Sequence, residues 1–453
     1  MSKSFNNLKI SISGVRGIVG ETLTPRLISS FAAAYGEYVG RGPVIVGRDT
    51  RQSGIMVEQA VIAGLLSVGC QPGSAGILPT PSIQVIVRKF NAVGAIAVTA
   101  SHNPLPWNAL KLINGKGMFL NEIEARQVLD IYNQESVNYV VESEIREVKF
   151  IKEAFKVHKE KIFKNVDCDK IRKRKFKVAI DCVNGAGAPY TPPFLEELDC
   201  EAVPLFSEAD GNFKRMPEPT PDALTALSET VIREKCDIGF AQDPDADRLV
   251  IVDEKGIARN ENCTLAVATK HILSKTPGNV TVNLATSKVI QDICNEYNCN
   301  LTYTKIGEIN VSTEMLKNNS VIGGEANGGV IWPVIHPCRD SYSGIALILE
   351  HLSEQKKPIS QVLSEFPKYY FGARKIHCSS EKALYVMRHL IKQSKSLNPL
   401  LNDGMRINWQ DQWVIIRPSN TEPVLRIHAE AGSAKKLKTL LDNYELKCRE
   451  LIK

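Results

Sequence analysis

The chain has 453 residues, 43% of them hydrophobic and 23% charged, the balance of a globular protein too long for one core. Its 56 basic and 50 acidic residues leave a formal net charge of +6, which argues against a dedicated nucleic-acid surface but allows a local anion site. No apolar run is long enough to span a bilayer, and "MSKSFNNLKI" has no secretory h-region, so the expectation is no membrane and no signal peptide; eleven cysteines without CxxC or zinc spacing fit free thiols in a reducing cytoplasm.

In chain order, "SGVRGIVGETLTP" comes first and sets Arg16 between glycines. Arg16 stands where the dinucleotide fingerprint needs its second glycine, and no Walker pattern occurs anywhere, which disfavours a dehydrogenase or a nucleotide-driven kinase. Next, "VIVGRDTRQSGIMVEQAVIAGLLSVGCQ" reads as strand, turn, helix and a Gly-Cys stop. "PTPSIQVIVRKFNAVGAIAV" continues with a helix and a buried strand, ending in the loop "TASHNP". That plan recurs in "VAIDCVNGAGAPYTPPFLEELDCEAVPLF" and "PTPDALTALSETVIREKCDIGFAQDPDADR", and more weakly from "NVTVNLATSK" to "GGEANGG". Strands alternating with helices predict three related α/β units with mostly parallel sheets, and ligands in such sheets bind beyond the strands' carboxyl ends. After "YYFGARKIHCSS" the pattern becomes helix, antiparallel hairpin and helix, a closing α+β domain. The expected domains are 1–153, 154–254, 255–370 and 371–453.

Three loops of one structural type therefore deserve chemical readings. In "TASHNP", Ser101 is either an ordinary turn residue or a nucleophile at the lip of a sheet. "DPDADR" sets Asp243, Asp245 and Asp247 at period two, hard oxygen donors suited to Mg²⁺ or Ca²⁺. An EF-hand is rejected, because Arg248 stands where its glycine is required and the flanks read as strands. Magnesium usually adds a phosphate oxygen to its carboxylates, and a phosphorylated Ser101 facing this loop would supply one. Lys111 is placed to move a proton or neutralise phosphate, though a lone lysine is also an ordinary surface residue. In "GGEANGG", Glu325 and Asn327 fit neighbouring hydroxyls of a sugar. Further on, "RPSNTEPVLR" gathers Arg417, Ser419, Asn420 and Thr421, an inventory for a phosphate dianion or, more plainly, a capped hairpin turn.

With these four motifs in this order, the chain resembles the α-D-phosphohexomutase superfamily over essentially its whole length. The resemblance implies an α/β fold of four domains around a central cleft, three of them related. It implies Ser101 as phosphoryl carrier and metal ligand, with Mg²⁺ also on Asp243, Asp245 and Asp247. Arg248 would lie near the reacting phosphate, with Arg16 matching the family's N-terminal arginine; His102 and Lys111 would share acid–base work; Glu325 and Asn327 would hold the ring; Arg417, Ser419, Asn420 and Thr421 would hold the distal phosphate. "GRDTRQS" around Arg48 and Asp49 reads as architectural. Two departures stand out: Ala109 replaces a glycine in "NALK", and Asn327 replaces the usual serine of the sugar loop, with Gly329 at its last place. "KIGEINV", "GGEANGGVIWP" and "CRDS" look closest to an archaeal-type branch.

The implied activity is interconversion of hexose 6-phosphate and hexose 1-phosphate through a phosphoserine and a bound hexose 1,6-bisphosphate, which would also serve as activator. Glucosamine phosphate is the expected substrate, with dual glucose/mannose specificity, a non-catalytic sugar-phosphate binder or a phosphatase as alternatives. No residue reads the sugar's C2 position, and oligomeric state is not legible.

Overall fold

The computed structural model describes residues 8–11, 14–419 and 423–452, which divide into two compact units: residues up to 264 with 327–360, and residues 265–326 with those from 361 onward.

In the first unit, β1 (Lys9–Ser11), β2 (Gly14–Ile18), β3 (Pro43–Arg48), β4 (Gln71–Ile77), β5 (Gly94–Val98), β6 (Trp107–Asn114) and β7 (Lys149–Phe150) form one sheet in the order β1-β2-β6-β5-β3-β4-β7. Strands β4, β3 and β5 are parallel, whereas β6 runs antiparallel to β5 and to β2. The middle strands are apolar on both faces because helices cover both; Ile96, Val98, Val44 and Val46 are fully buried. Burying a side chain of this size contributes roughly 1.5–3 kcal/mol. The helix Pro25–Tyr38 starts where Thr24 caps the Leu27 N–H and proline fills the first turn. A second sheet follows, from β8 (Lys177–Asp181), β9 (Glu201–Leu205), β10 (Ile238–Gln242) and β11 (Leu249–Asp253), in the order β11-β10-β8-β9.

In the second unit, β12 (Val280–Asn283), β13 (Leu301–Thr304) and β14 (Ile322–Glu325) lie parallel in the order β13-β12-β14. The chain then returns to the first unit, where β15 (Gly329–Ile331) and the helix Ser341–Gln355 belong. Finally β16 (Tyr370–His377), β17 (Met405–Asn408), β18 (Gln412–Pro418) and β19 (Val424–Ala431) form an antiparallel sheet, β16-β19-β18-β17, backed by the helices Ser380–Gln393 and Ala434–Ile452.

The repeat expected from sequence is present in topology. Strands β4-β3-β5, β9-β8-β10 and β13-β12-β14 share one order, second-first-third, and all are parallel. Each predicted loop leaves the carboxyl end of the third strand. All eleven cysteines are unpaired. Among the described residues, no helix is long and apolar enough to cross a membrane.

Candidate active site

Ser101 follows β5 and adopts φ +48°, a left-handed conformation that costs a non-glycine residue about 1–2 kcal/mol. The buried side chain of Arg51 holds it there. Its Nη2 donates to the carbonyls of Ser101 (2.7 Å) and Asn103 (2.6 Å), Nη1 to Pro104 (2.9 Å), and Nε to Asp49 Oδ2 (3.1 Å). Thr99 Oγ1 accepts the Ser101 N–H at 2.9 Å and donates to the same Asp49 oxygen at 2.7 Å. Thus "GRDTR" is architectural as read, but the loop hangs on Arg51, which the sequence reading passed over.

The acidic loop leaves β10 and meets Ser101 within the first unit. Asp243 Oδ1 accepts the backbone N–H groups of Asp247 (3.0 Å) and Arg248 (3.1 Å), while Oδ2 accepts from Ser101 Oγ at 2.9 Å. Asp245 Oδ2 accepts from Thr80 Oγ1 (2.7 Å) and Lys111 Nζ (2.6 Å). Asp247 Oδ2 accepts from Arg339 Nη2 at 2.6 Å. The remaining oxygens, Asp245 Oδ1 and Asp247 Oδ1, are buried without a hydrogen-bond partner. One ligand atom from each of the three aspartates lies within 4.8 Å of the others. Each carboxylate thus uses one oxygen as an anchor and directs chemistry with the other, which fits a hard divalent cation.

Electrostatics agree with that reading. Burial, then the charges of Asp247 and Asp245, push the Asp243 carboxyl well above its ordinary range. Burial also opposes ionisation of Asp245, but Lys111 and the hydrogen bonds it receives outweigh burial and hold it below the usual range. Lys111 lies on β6, 5% exposed, so the surface alternative is set aside.

His102 Nδ1 lies 3.4 Å from Ser101 Oγ and accepts from Arg248 Nη2 at 3.0 Å. A guanidinium only donates, so the imidazole proton resides on Nε2. Burial, followed by Arg248 and Arg16, lowers the His102 pKa to about 3, and the ring is neutral. Arg248 Nη1 also donates to Glu218 Oε1 (2.6 Å), and Arg16 Nη1 to Asn103 Oδ1 (2.7 Å). Gly14 begins Arg16's strand at φ +102°, where a Cβ would fall 1.8 Å from the Leu110 carbonyl oxygen.

In the second unit, Glu325 ends β14, with Oε1 accepting from Asn283 Nδ2 (2.8 Å) and the Gly307 N–H (2.7 Å). Two residues on, in the first unit, Asn327 Oδ1 accepts the Gly329 N–H at 3.3 Å. Arg417, at the end of β18, pairs through Nη1 with Asp403 Oδ2 at 2.7 Å, and the Ser419 N–H donates to the Val424 carbonyl at 2.9 Å. Asn420 and Thr421 lie outside the described residues.

Thr80, Arg339, Arg51 and Asp403 were missed as site residues. Three had a signal. Thr80 is the threonine of the first Pro-Thr-Pro, read only as a repeat marker, Arg51 belongs to "GRDTRQS", read only as architectural around Arg48 and Asp49, and Arg339 belongs to "CRDS", read only as a branch marker.

Family models match four successive segments: phosphoglucomutase/phosphomannomutase alpha/beta/alpha domain I at residues 8–138, domain II at 156–256, domain III at 260–370 and the C-terminal domain at 378–446. A phosphoglucomutase/phosphomannomutase of Thermococcus kodakarensis is 37% identical over 95% of this chain and 96% of its own length. The phosphoglucosamine mutase of Methanocaldococcus jannaschii is 33% identical over 95% and 96%. A crystal structure of a family protein from Burkholderia thailandensis shares the fold at TM-score 0.86 and 23% identity, with 98% of each chain covered. With all four modules matched in order and relatives aligned along nearly the whole chain, this protein belongs to the phosphoglucomutase/phosphomannomutase family.

Proposed function

We propose that the protein is a phosphohexomutase interconverting glucosamine 6-phosphate and glucosamine 1-phosphate through phosphorylated Ser101. The observation that carries the reading is the 2.9 Å bond from Ser101 Oγ to Asp243, inside a carboxylate cluster that keeps buried oxygens unpaired.

Magnesium on Asp243, Asp245, Asp247 and a Ser101 oxygen would neutralise charge gathering on the transferred phosphoryl group. The chain's own groups do the rest. A sugar hydroxyl attacks the phosphorus, its bond to Ser101 Oγ breaks, and the departing serine oxygen needs a proton. Lys111 and His102 are the neighbouring side chains able to relay the hydroxyl's proton. Arg248, which donates to His102 Nδ1, and Arg16, which donates to Asn103, bring positive charge to the serine loop, where positioned charge would lower the barrier. Glu325 and Asn327 grip ring hydroxyls, and Arg417, Ser419, Asn420 and Thr421 take the non-reacting phosphate. The bisphosphate turns end for end and returns its other phosphoryl group to Ser101; added bisphosphate rephosphorylates a bare serine.

Relatives differ in the sugar they are named for, and the one named for glucose and mannose keeps dual specificity as the second reading. A coupled assay with glucosamine 6-phosphate, glucose 1-phosphate and mannose 1-phosphate side by side, with magnesium and matching bisphosphate, decides between them. Steady release of inorganic phosphate without isomer would make the protein a phosphatase; binding without turnover would make it a sugar-phosphate sensor.

A further inference from the structure

The antiparallel register of the C-terminal sheet sets three cations in a row. Lys375 on β16 faces Arg426 on β19, which faces Arg417 on β18. Like charges directly opposite one another repel unless an anion joins them. One anion is built in: Asp403 Oδ2 pairs with Arg417 Nη1 at 2.7 Å, both side chains about three-quarters buried (23% and 28% exposed). Gly404 permits this approach at φ +86°, since a Cβ there would lie 2.3 Å from the Ile416 carbonyl oxygen. Burial, then Arg417, Arg426 and Lys375, lowers the pKa of His428 to about 4.

Asp403 is also tied to the sugar loop. Its Oδ2 accepts the Ile306 N–H at 3.4 Å, and the next amide, Gly307, donates to Glu325 Oε1 at 2.7 Å. Two adjacent peptide groups thus hold the acid of the sugar loop and the acid that pairs with Arg417.

We propose that Asp403 is an exchange partner for substrate phosphate: its carboxylate holds Arg417 between ligands, yields the guanidinium to an arriving phosphate, and takes it back when the bisphosphate lets go to turn. This rests on the reading of Arg417 as the distal phosphate ligand. The physical reason is the cost of release. A largely buried guanidinium stripped of its phosphate and left bare would pay its desolvation in full, whereas handing it to a waiting carboxylate keeps it paired throughout. The enzyme trades affinity for the freedom to let go in mid-cycle, which a reaction with one intermediate and two orientations requires.

The test is calorimetric titration of full-length protein with inorganic phosphate, comparing wild type, D403N, D403S, R417A and D403N/R417A. Removing the competing charge should tighten phosphate binding roughly three- to tenfold in D403N and D403S, and the gain should vanish in the R417A background. Unchanged or weaker binding in D403N and D403S, with R417A weakened, overturns the exchange role and leaves Asp403 as a positioning residue for Arg417. Wild-type binding in R417A would instead reject Arg417 as a phosphate ligand, a failure separate from the first.

Discussion

The Ser101 hydroxyl donates to Asp243 Oδ2 at 2.9 Å, joining positions 142 apart in the chain. The contact puts the hydroxyl proposed to carry the phosphoryl group on a carboxyl that burial and the charges of Asp247 and Asp245 push well above its ordinary range, and a cation with a phosphoryl group would relieve both conditions together.

Ser101→Ala should abolish turnover while leaving the fold intact, because a single hydrogen bond of this kind contributes only about 1 kcal/mol. Intact-mass measurement should find one phosphoryl group on the wild type after incubation with hexose bisphosphate and none on the variant. Ordinary mutase activity in Ser101→Ala would reject the covalent route.

Arg339→Met removes the hydrogen bond on Asp247 Oδ2 and leaves Oδ1, the oxygen proposed to bind the cation, in place. Outer anchors of this type are worth 10- to 100-fold in metal affinity, so magnesium binding followed by calorimetry should weaken on the order of tenfold or more. Asp245→Asn should weaken it further, since it loses a ligand charge and frees Lys111 at once. Equal magnesium affinity in all three proteins would mean the cation sits elsewhere.

Arg51→Lys keeps the charge but not the fork that spans three carbonyls and a carboxylate. The serine loop should relax out of its left-handed conformation. The expected result is a fall in kcat of about a hundredfold with KM nearly unchanged, because misplacement of a reacting group is felt mainly in the transition state. A rise in KM alone would show that Arg51 serves binding instead.

Acid stability offers a separate check on the first unit. His336 Nε2 donates to the Gly117 carbonyl at 2.9 Å, and burial lowers its pKa from 6.5 to about 4. Below pH 6.5 the unfolded chain takes up a proton that the folded chain refuses, so stability is fully present above that pH and is lost as pH falls toward 4. The loss amounts to roughly 3 kcal/mol over that window. His336→Gln keeps a donor without a titrating ring, and its denaturation midpoint should depend less on pH between 6.5 and 4 than the wild type's. Parallel pH profiles would assign the acid limb to other groups.

Much of the candidate site was legible because its chemistry is local. Three aspartates at period two, a serine after an apolar strand and an arginine before Ser-Asn-Thr each carry their reading within a few residues. The α/β class and the mostly parallel sheets were legible too, since strands alternating with helices demand them, whereas the strand order was not. The anchors were not legible in this way. Thr80, Lys111 and Arg339 reach Asp245 and Asp247 from 165, 134 and 92 positions away, and although each lies in a motif visible in the sequence, nothing near it announces that contact. The same holds for the left-handed backbone at Ser101, which ordinary residues adopt only where distant groups impose it.

Hydrophobic period and motif spacing, which are properties of neighbours along the chain, were enough for the fold class, the threefold repeat and the choice of loops that offer candidate reacting groups. Which oxygen of each aspartate is tied down, which nitrogen of His102 keeps its proton, and that Asp403 holds Arg417 emerged only from the folded molecule. Those outcomes depend on groups brought within hydrogen-bond reach from remote segments. Such encounters follow from packing the whole fold, which no short stretch of residues encodes.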